Sequence, residues 1–235
     1  MNIEEYAKKH KHLLLDQIPD ELDLIIRNNK FTNIIDVGCG GGLFLYSLFK
    51  REYEKGFEEI WGVDLSEQRL ESVGRISDKI KTVKDDAQTL ENIPENHFDL
   101  VVSTQVIEHV PDDQKMLEAV YRISKANAVI YIDTVFKKKW AWYFYKNEKS
   151  EPALDPTHVR EYTHENELFD KIDRDKFRIL FSKKKFVKYS LINFVLRALK
   201  IKSNNIYDNP MIKILSYIQI PVPGYYIWKI LLQKK

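Results

Sequence analysis

Apolar residues recur along the first 136 positions in two alternating rhythms, and each change of rhythm marks an expected element. "TNIIDV" (32–37) is a short, unbroken apolar run stopped by glycine, the pattern of a strand buried on both faces. "GGLFLYSLFKREYE" then places Leu43, Leu45, Tyr46, Phe49 and Tyr53 at near-helical intervals and predicts a helix. "EEIWGVDLS" predicts a second strand, with Ser66 placed to cap the helix "EQRLESVGRIS". "KIKTVKDDA" predicts a third strand, and "HFDLVVST", rich in β-branched residues, a fourth. "DDQKMLEAVYRIS" predicts a helix whose two leading acids complement its dipole, and "NAVIYIDTVF" a fifth strand. Ahead of all these, Leu13, Leu14, Gln17 and Ile18 fall close in helical spacing, and Pro19-Asp20 restarts a second helix, "ELDLIIRNN". Helices alternating with continuously apolar strands predict an α/β fold with a parallel sheet covered on both faces.

The rhythm breaks after residue 136. "KKKWAWYFYKNEKSEPALDPTHVREYT" has no clear period and reads as an insertion rich in aromatic and basic residues. "HENELFDKI" predicts a helix, "KFRILFSKKKFVKYS" a strand or strand pair, and "SLINFVLRALKIK" an amphipathic helix. Asn209 and Pro210 suit the cap and first turn of "MIKILSYIQI", and "YYIWKILLQKK" has strand composition.

Charge changes the picture more than composition does. The chain of 235 residues carries a net charge of only +2, yet residues 1–136 hold 16 Lys and Arg against 25 Asp and Glu, and residues 137–235 hold 21 against 10. The halves therefore carry −9 and +11, and a basic face of that kind attracts anionic partners. From residue 186 onward, eight basic side chains and the single acid Asp208 lie among aromatic and aliphatic residues, which suits core packing, a membrane surface or a dimer interface. Cys39 is the only cysteine, so no intrachain disulfide forms. No secretory signal pattern and no spanning apolar stretch is read, so the expected location is cytoplasmic, with peripheral membrane contact through the basic C-terminal region.

The chemistry concentrates in "IIDVGCGGGLFL". Glycines at 38, 40, 41 and 42 follow a strand and open a helix, which lets the backbone turn sharply and approach a ligand. No Lys-Ser or Lys-Thr follows, which excludes a phosphate-binding loop. Counted from Gly38 or Gly40, the sixth position is Leu43 or Leu45, so the dinucleotide fingerprint fails too. Asp36, two residues before the first glycine, would repel a pyrophosphate but could receive an ammonium group.

"DVGCGGG" resembles the first motif of the class I S-adenosylmethionine-dependent methyltransferases, and "VDLSE", "KDDAQTL" and "FDLVVSTQVIEHV" resemble later motifs of that family in the same order. The similarity spans about residues 30 to 135. It implies a Rossmann-like, seven-stranded, mostly parallel sheet with an antiparallel last strand. The whole chain, 1–235, is then a single methyltransferase domain: a helical cap at 1–30, a cofactor-binding half at 31–136 and an acceptor-side half at 137–235. It also implies S-adenosylmethionine as cofactor. The implied cofactor residues are Asp36, Gly38, Cys39, Gly40 and Gly42 in the loop, and Asp64 on the ribose hydroxyls with Leu65 beside it. Asp86 and Ala87 would meet the adenine, and the backbone of Thr104, Gln105 and Val106 would line the cofactor. Gly41 stands where a polar residue is common in the family, and the adjacent Asp85 competes with Asp86 for the adenine.

The acceptor side rests on fewer residues. His109 ends the fourth strand, where ligands of open α/β sheets bind, and is read either as a base or as a structural histidine. "DPTHVREYTHENEL" resembles a segment of small-molecule members of the family, including ubiquinone-biosynthesis-like methyltransferases. That resemblance implies His158, Arg160 and Tyr162 beside the acceptor; the alternative is that Thr163 merely caps the next helix. Trp140 and Trp142 suit a lid that grips a partly apolar or anionic acceptor. No metal ion enters this reading. The expected activity is methyl transfer to a small-molecule, lipid-linked or sugar acceptor. A nucleic-acid methyltransferase and a non-catalytic cofactor-binding subunit are the alternatives, and the oligomeric state stays open.

Overall fold

The computed structural model describes residues 16–147, 150–198 and 218–235. The opening helix around Leu13 and Leu14, and the cap at Asn209 and Pro210 with most of "MIKILSYIQI", lie outside the described residues. The helices are α1 (Asp20–Asn28), α2 (Leu43–Lys50), α3 (Glu67–Gly74), α4 (Asp113–Ile123), α5 (Asn166–Phe169) and α6 (Leu191–Ala198). The strands are β1 (Asn33–Val37), β2 (Glu59–Asp64), β3 (Ile80–Lys84), β4 (Phe98–Thr104), β5 (Ser124–Lys137), β6 (Tyr145–Lys146), β7 (Pro152–Ala153), β8 (Phe177–Ser190) and β9 (Gln219–Lys234).

Seven strands form one sheet in the order β3-β2-β1-β4-β5-β9-β8. β1, β2, β3, β4 and β5 run parallel, while β9 is antiparallel to both β5 and β8. Alternate side chains of a strand face opposite ways, so the central strands feed two cores. Ile34, Leu100 and Val102 pack with α1, α2 and α3 through Leu22, Leu45, Leu48 and Val73. Ile35, Val37 and Val101 pack on the other face with Met116, Val120 and Ile123 of α4 and with Trp228 of β9. Every residue of β1 is buried, as expected of an interior parallel strand.

Three elements differ from the sequence expectation. β9 already begins at Gln219, where it pairs with Ser190, so residues 219 and 220 are strand rather than the end of a helix. α5 is a single turn, and Thr163 does not cap it. Instead Glu167 reaches back and accepts from the backbone N–H of Thr163 at 3.2 Å and of His164 at 2.9 Å. The insertion folds over β9 as a small hairpin, β6 with β7, above a satellite core of Ala141, Tyr143, Leu154, Val222 and Tyr225.

Opposed charges of the two halves pair with one another, mostly at the surface. Exposed Lys183 and Lys185 on edge strand β8 pair with Glu21 at 3.2 Å and Asp20 at 2.9 Å, and buried Lys229 of β9 bonds to Glu21, while Lys184 bonds to Glu165 of its own half. Edge lysines also keep a strand from pairing with other chains. No helix among the described residues is long and apolar enough to cross a membrane.

Candidate active site

The loop between β1 and α2 is held open by its glycines. Gly38 adopts φ +73°, and a Cβ there would lie 2.4 Å from Cγ2 of Val106, so the loops after β1 and β4 touch only because residue 38 has no side chain. Gly40 adopts φ +55° with nothing within 4 Å of where its Cβ would stand, which leaves bare backbone facing open space. Beneath it, Asp64 at the end of β2 accepts from the N–H of Gly40 and of Ser66, each at 2.9 Å. That carboxylate ties the glycine loop to the start of α3, which Ser66 caps as expected by accepting from Arg69 N–H.

Asp36 lies under the loop, 1% exposed, with Oδ1 lacking any hydrogen-bond partner. Burial pushes its carboxyl up to about 8, and the charges of Asp64 and Asp133 push the same way. A buried carboxyl beside two others is held neutral unless a cation comes to it.

The two adjacent aspartates after β3 have separate tasks. Asp85 accepts from Asp86 N–H at 2.8 Å and Asn92 N–H at 2.7 Å and is buried in its own turn. Asp86 is less buried and is held by Gln88, next to the buried Ala87. Leu65 is 40% exposed beside Asp64, whereas Cys39 is buried and offers only backbone. After β4, Gln105 takes the left-handed φ of +55°, rare for a residue with a side chain. Its backbone and side-chain N–H groups both donate to Oδ1 of buried Asp133, at 3.2 and 2.9 Å. Thr104 precedes this turn, and Val106 follows it into the gap at Gly38.

At the end of β4 the structure gathers a polar cluster from segments nearly 50 residues apart. Single donor atoms of Glu108, His109 and His158 lie within 4.8 Å of one another, and the two imidazoles meet edge to face with centroids 4.7 Å apart. Nδ1 of His158 lies 2.6 Å from Oε1 of Glu161. Glu108 is fully buried, with Oε2 accepting from Thr134 at 2.8 Å and Oε1 unpartnered. Burial pushes Glu108 up to about 7. Burial, with His158 beside it, lowers His109 to about 4, so His109 is neutral at physiological pH.

Two of the expected acceptor residues are drawn elsewhere. Arg160 donates to the carbonyls of Ile107, Val110 and Pro111 at 2.5 to 3.0 Å. Tyr162 is 1% exposed and donates to Asp113 at 2.9 Å, with its ring edge on Trp228. Arg160 thus fastens the 154–162 strap to the segment after β4, and Tyr162 fastens it to Asp113 at the start of α4. Trp140 and Trp142 are 67% and 53% exposed on the insertion, Trp142 lying against Phe144. Glu108, Asp133, Thr134 and Glu161 escaped the sequence reading. Glu161 carried a local signal, three residues beyond His158 in "HVRE"; the others become visible only once β4 and β5 are paired.

A seven-stranded sheet of this order, with an open glycine loop after β1 and an acid ending β2, defines the class I S-adenosylmethionine-dependent methyltransferases. Residues 35–132 match the family described as "Methyltransferase domain", which supports a class I S-adenosylmethionine-dependent methyltransferase with S-adenosylmethionine as its cofactor. The chain is 30% identical over 131 residues to a ubiquinone biosynthesis O-methyltransferase of Neisseria meningitidis, covering 53% of this chain and 51% of that protein. It is 30% identical over 116 residues to the protein of that name from Hahella chejuensis, covering 47% and 46%. It thus spans about half the length of these curated relatives. In fold it is similar to a SAM-dependent methyltransferase from Methanosarcina mazei, with TM-score 0.58, 17% identity and coverage of 94% and 99%. The YcgJ protein of Bacillus subtilis gives TM-score 0.59 at 16% identity, covering 91% and 96%.

Proposed function

We propose that the chain transfers a methyl group from S-adenosylmethionine to a hydroxyl of a small-molecule acceptor. The observation that carries the reading is the buried Asp36, whose Oδ1 has no partner among the described residues, beneath backbone at Gly40 that no described residue covers. In this reading Asp36 faces the cationic end of the cofactor, Asp64 accepts from its ribose hydroxyls, Leu65 and Ala87 flank the adenine, and Asp86 accepts from the adenine amino group. The bound cofactor supplies an electrophilic methyl on a sulfonium. The protein supplies proximity, alignment of an acceptor lone pair with that methyl, and a site for the hydroxyl proton. His158 and His109, at the carboxyl end of the parallel strands, are the groups proposed for the proton.

The relatives are O-methyltransferases, which supports oxygen as the receiving atom. A lipid-linked or sugar hydroxyl suits the same chemistry, with the exposed Trp140 and Trp142 as stacking faces. Peripheral contact with an anionic membrane belongs to this proposal only in part, since Lys183, Lys184 and Lys185 already pair with acids of the chain. Calorimetry with S-adenosylmethionine, followed by turnover on a panel of phenols and catechols, tests the reading. One-site binding and release of S-adenosylhomocysteine with an oxygen acceptor are expected; binding without turnover on any hydroxyl would turn it toward a non-catalytic subunit.

A further inference from the structure

We propose that His158 is the group that takes the acceptor's proton, and that Glu161 and Glu108 are positioning residues that fix its tautomer and balance its charge. The inference deepens the proposed function and rests on it.

The geometry distinguishes the two imidazoles. Glu161 Oε1 lies 2.6 Å from Nδ1 of His158 and also accepts from Leu154 N–H at 2.7 Å, while its Oε2 lies 3.1 Å from Nζ of Lys137. With Oε1 held by the Leu154 N–H and Oε2 in an ion pair but without a hydrogen bond of its own among the described residues, the carboxylate is an acceptor fixed beside Nδ1, so Nδ1 keeps its proton and Nε2 is left as the basic nitrogen. On the β4 side stands Glu108, fully buried, with an oxygen that no group among the described residues satisfies. Such an atom is costly unless a charge or donor comes to it, and an imidazolium at His158 is that charge. With His158 protonated, the cluster of Glu108, Glu161, His158 and Lys137 is formally neutral. Burial opposes a charge on His158, but the hydrogen bond to Glu161 and the charges of Glu108, Glu161 and Asp155 outweigh it and raise its basicity. His109 has Nδ1 at 3.3 Å from the Thr157 carbonyl and no carboxylate partner, and it is the weaker base. Neighbouring titratable groups whose environments pull their basicities apart are the arrangement that assigns a base.

In the step itself the acceptor oxygen forms a bond to the methyl carbon. The carbon–sulfur bond breaks with its electron pair going to sulfur, which neutralises the sulfonium, and the hydroxyl proton passes to Nε2 of His158.

Histidine-selective 15N NMR over a pH series on the full chain tests the assignment without an acceptor. Wild-type His158 is expected to titrate above His109 and, when neutral, to show the Nδ1–H tautomer. Glu161→Gln should lower its midpoint by about one pH unit or more and mix the tautomers. Glu161→Asp should restore both, a rescue that a purely structural role does not give. Should Glu161→Gln fail to fold, Glu108→Gln carries the same midpoint readout. An unchanged midpoint in the Gln variants overturns the proposal, as does a titration seen only after chelator treatment, which would assign Glu108, His109 and His158 to a divalent cation. S-adenosylmethionine calorimetry on the same samples keeps the outcomes apart: lost cofactor binding counts against the proposed function, and a normal affinity with an unmoved His158 counts against this inference alone.

Discussion

Asp36 is ordinary in sequence and exceptional in place. Its ordinary carboxyl pKa of 3.8 rises to about 8 in the folded protein. The native state therefore binds a proton that the unfolded chain releases, so the stability tied to it is full below about pH 4 and lost as pH rises through about 8. A cationic ligand reverses that loss by favouring the charged form. We predict that the increase in Tm given by S-adenosylmethionine grows from about pH 6 to about pH 8.5 and that Asp36→Asn flattens the dependence; a pH-independent increase in wild type would show that Asp36 faces no cationic group. Gly38 offers a second test at the same scale. Gly38→Ala adds a Cβ into Val106 at a left-handed φ and should lower denaturant stability by about 1–3 kcal/mol, with Val106→Ala in the same chain recovering part of it.

At the scale of elements, the strap from 154 to 162 is the part whose partners the sequence did not reveal. Its motif pointed to an acceptor pocket, whereas Arg160 and Tyr162 fasten the strap to the carbonyls after β4 and to Asp113 at the start of α4, which Lys171 also holds at 2.6 Å. Arg160→Ala leaves three carbonyls without their donor and should cost about 1–3 kcal/mol in a denaturation experiment. S-adenosylmethionine affinity should stay unchanged; a large loss of affinity with normal stability would return Arg160 to the ligand site. The contrast has a physical origin. Strand and helix periods made β1, β2, β4 and β5 legible because each buries a repeating apolar pattern. A strap of mixed residues has no period, and the destination of its donors depends on which carbonyls the folded sheet leaves exposed. The same holds for the partners of His158, since the stretch "DPTHVREYTHENEL" can name an imidazole but not the buried Glu108 that β4 brings to it.

Over the whole molecule, the sequence's two oppositely charged halves invited an anionic partner, and the fold pairs part of that charge within the chain. α1 supplies Asp20 and Glu21 to the lysines of β8 and β9, so the basic face offers less than its formal charge. Filter binding with tRNA and DNA over a salt series should accordingly show no tight, steeply salt-dependent association; a steep slope would favour the nucleic-acid alternative. The cofactor half is what the account depends on, because its glycine loop and parallel strands were legible in the sequence and its acids are proposed to hold one ligand. Titration calorimetry of S-adenosylmethionine into the full chain at about pH 8 tests that convergence most directly. Asp64 is the residue to vary, as its carboxylate both ties down Gly40 and is assigned to the ribose. The account predicts saturable one-site binding that Asp64→Ala weakens by about 30-fold or more, in line with losing hydrogen bonds to a charged group; no binding by the wild type, or equal affinity in the variant, would contradict it.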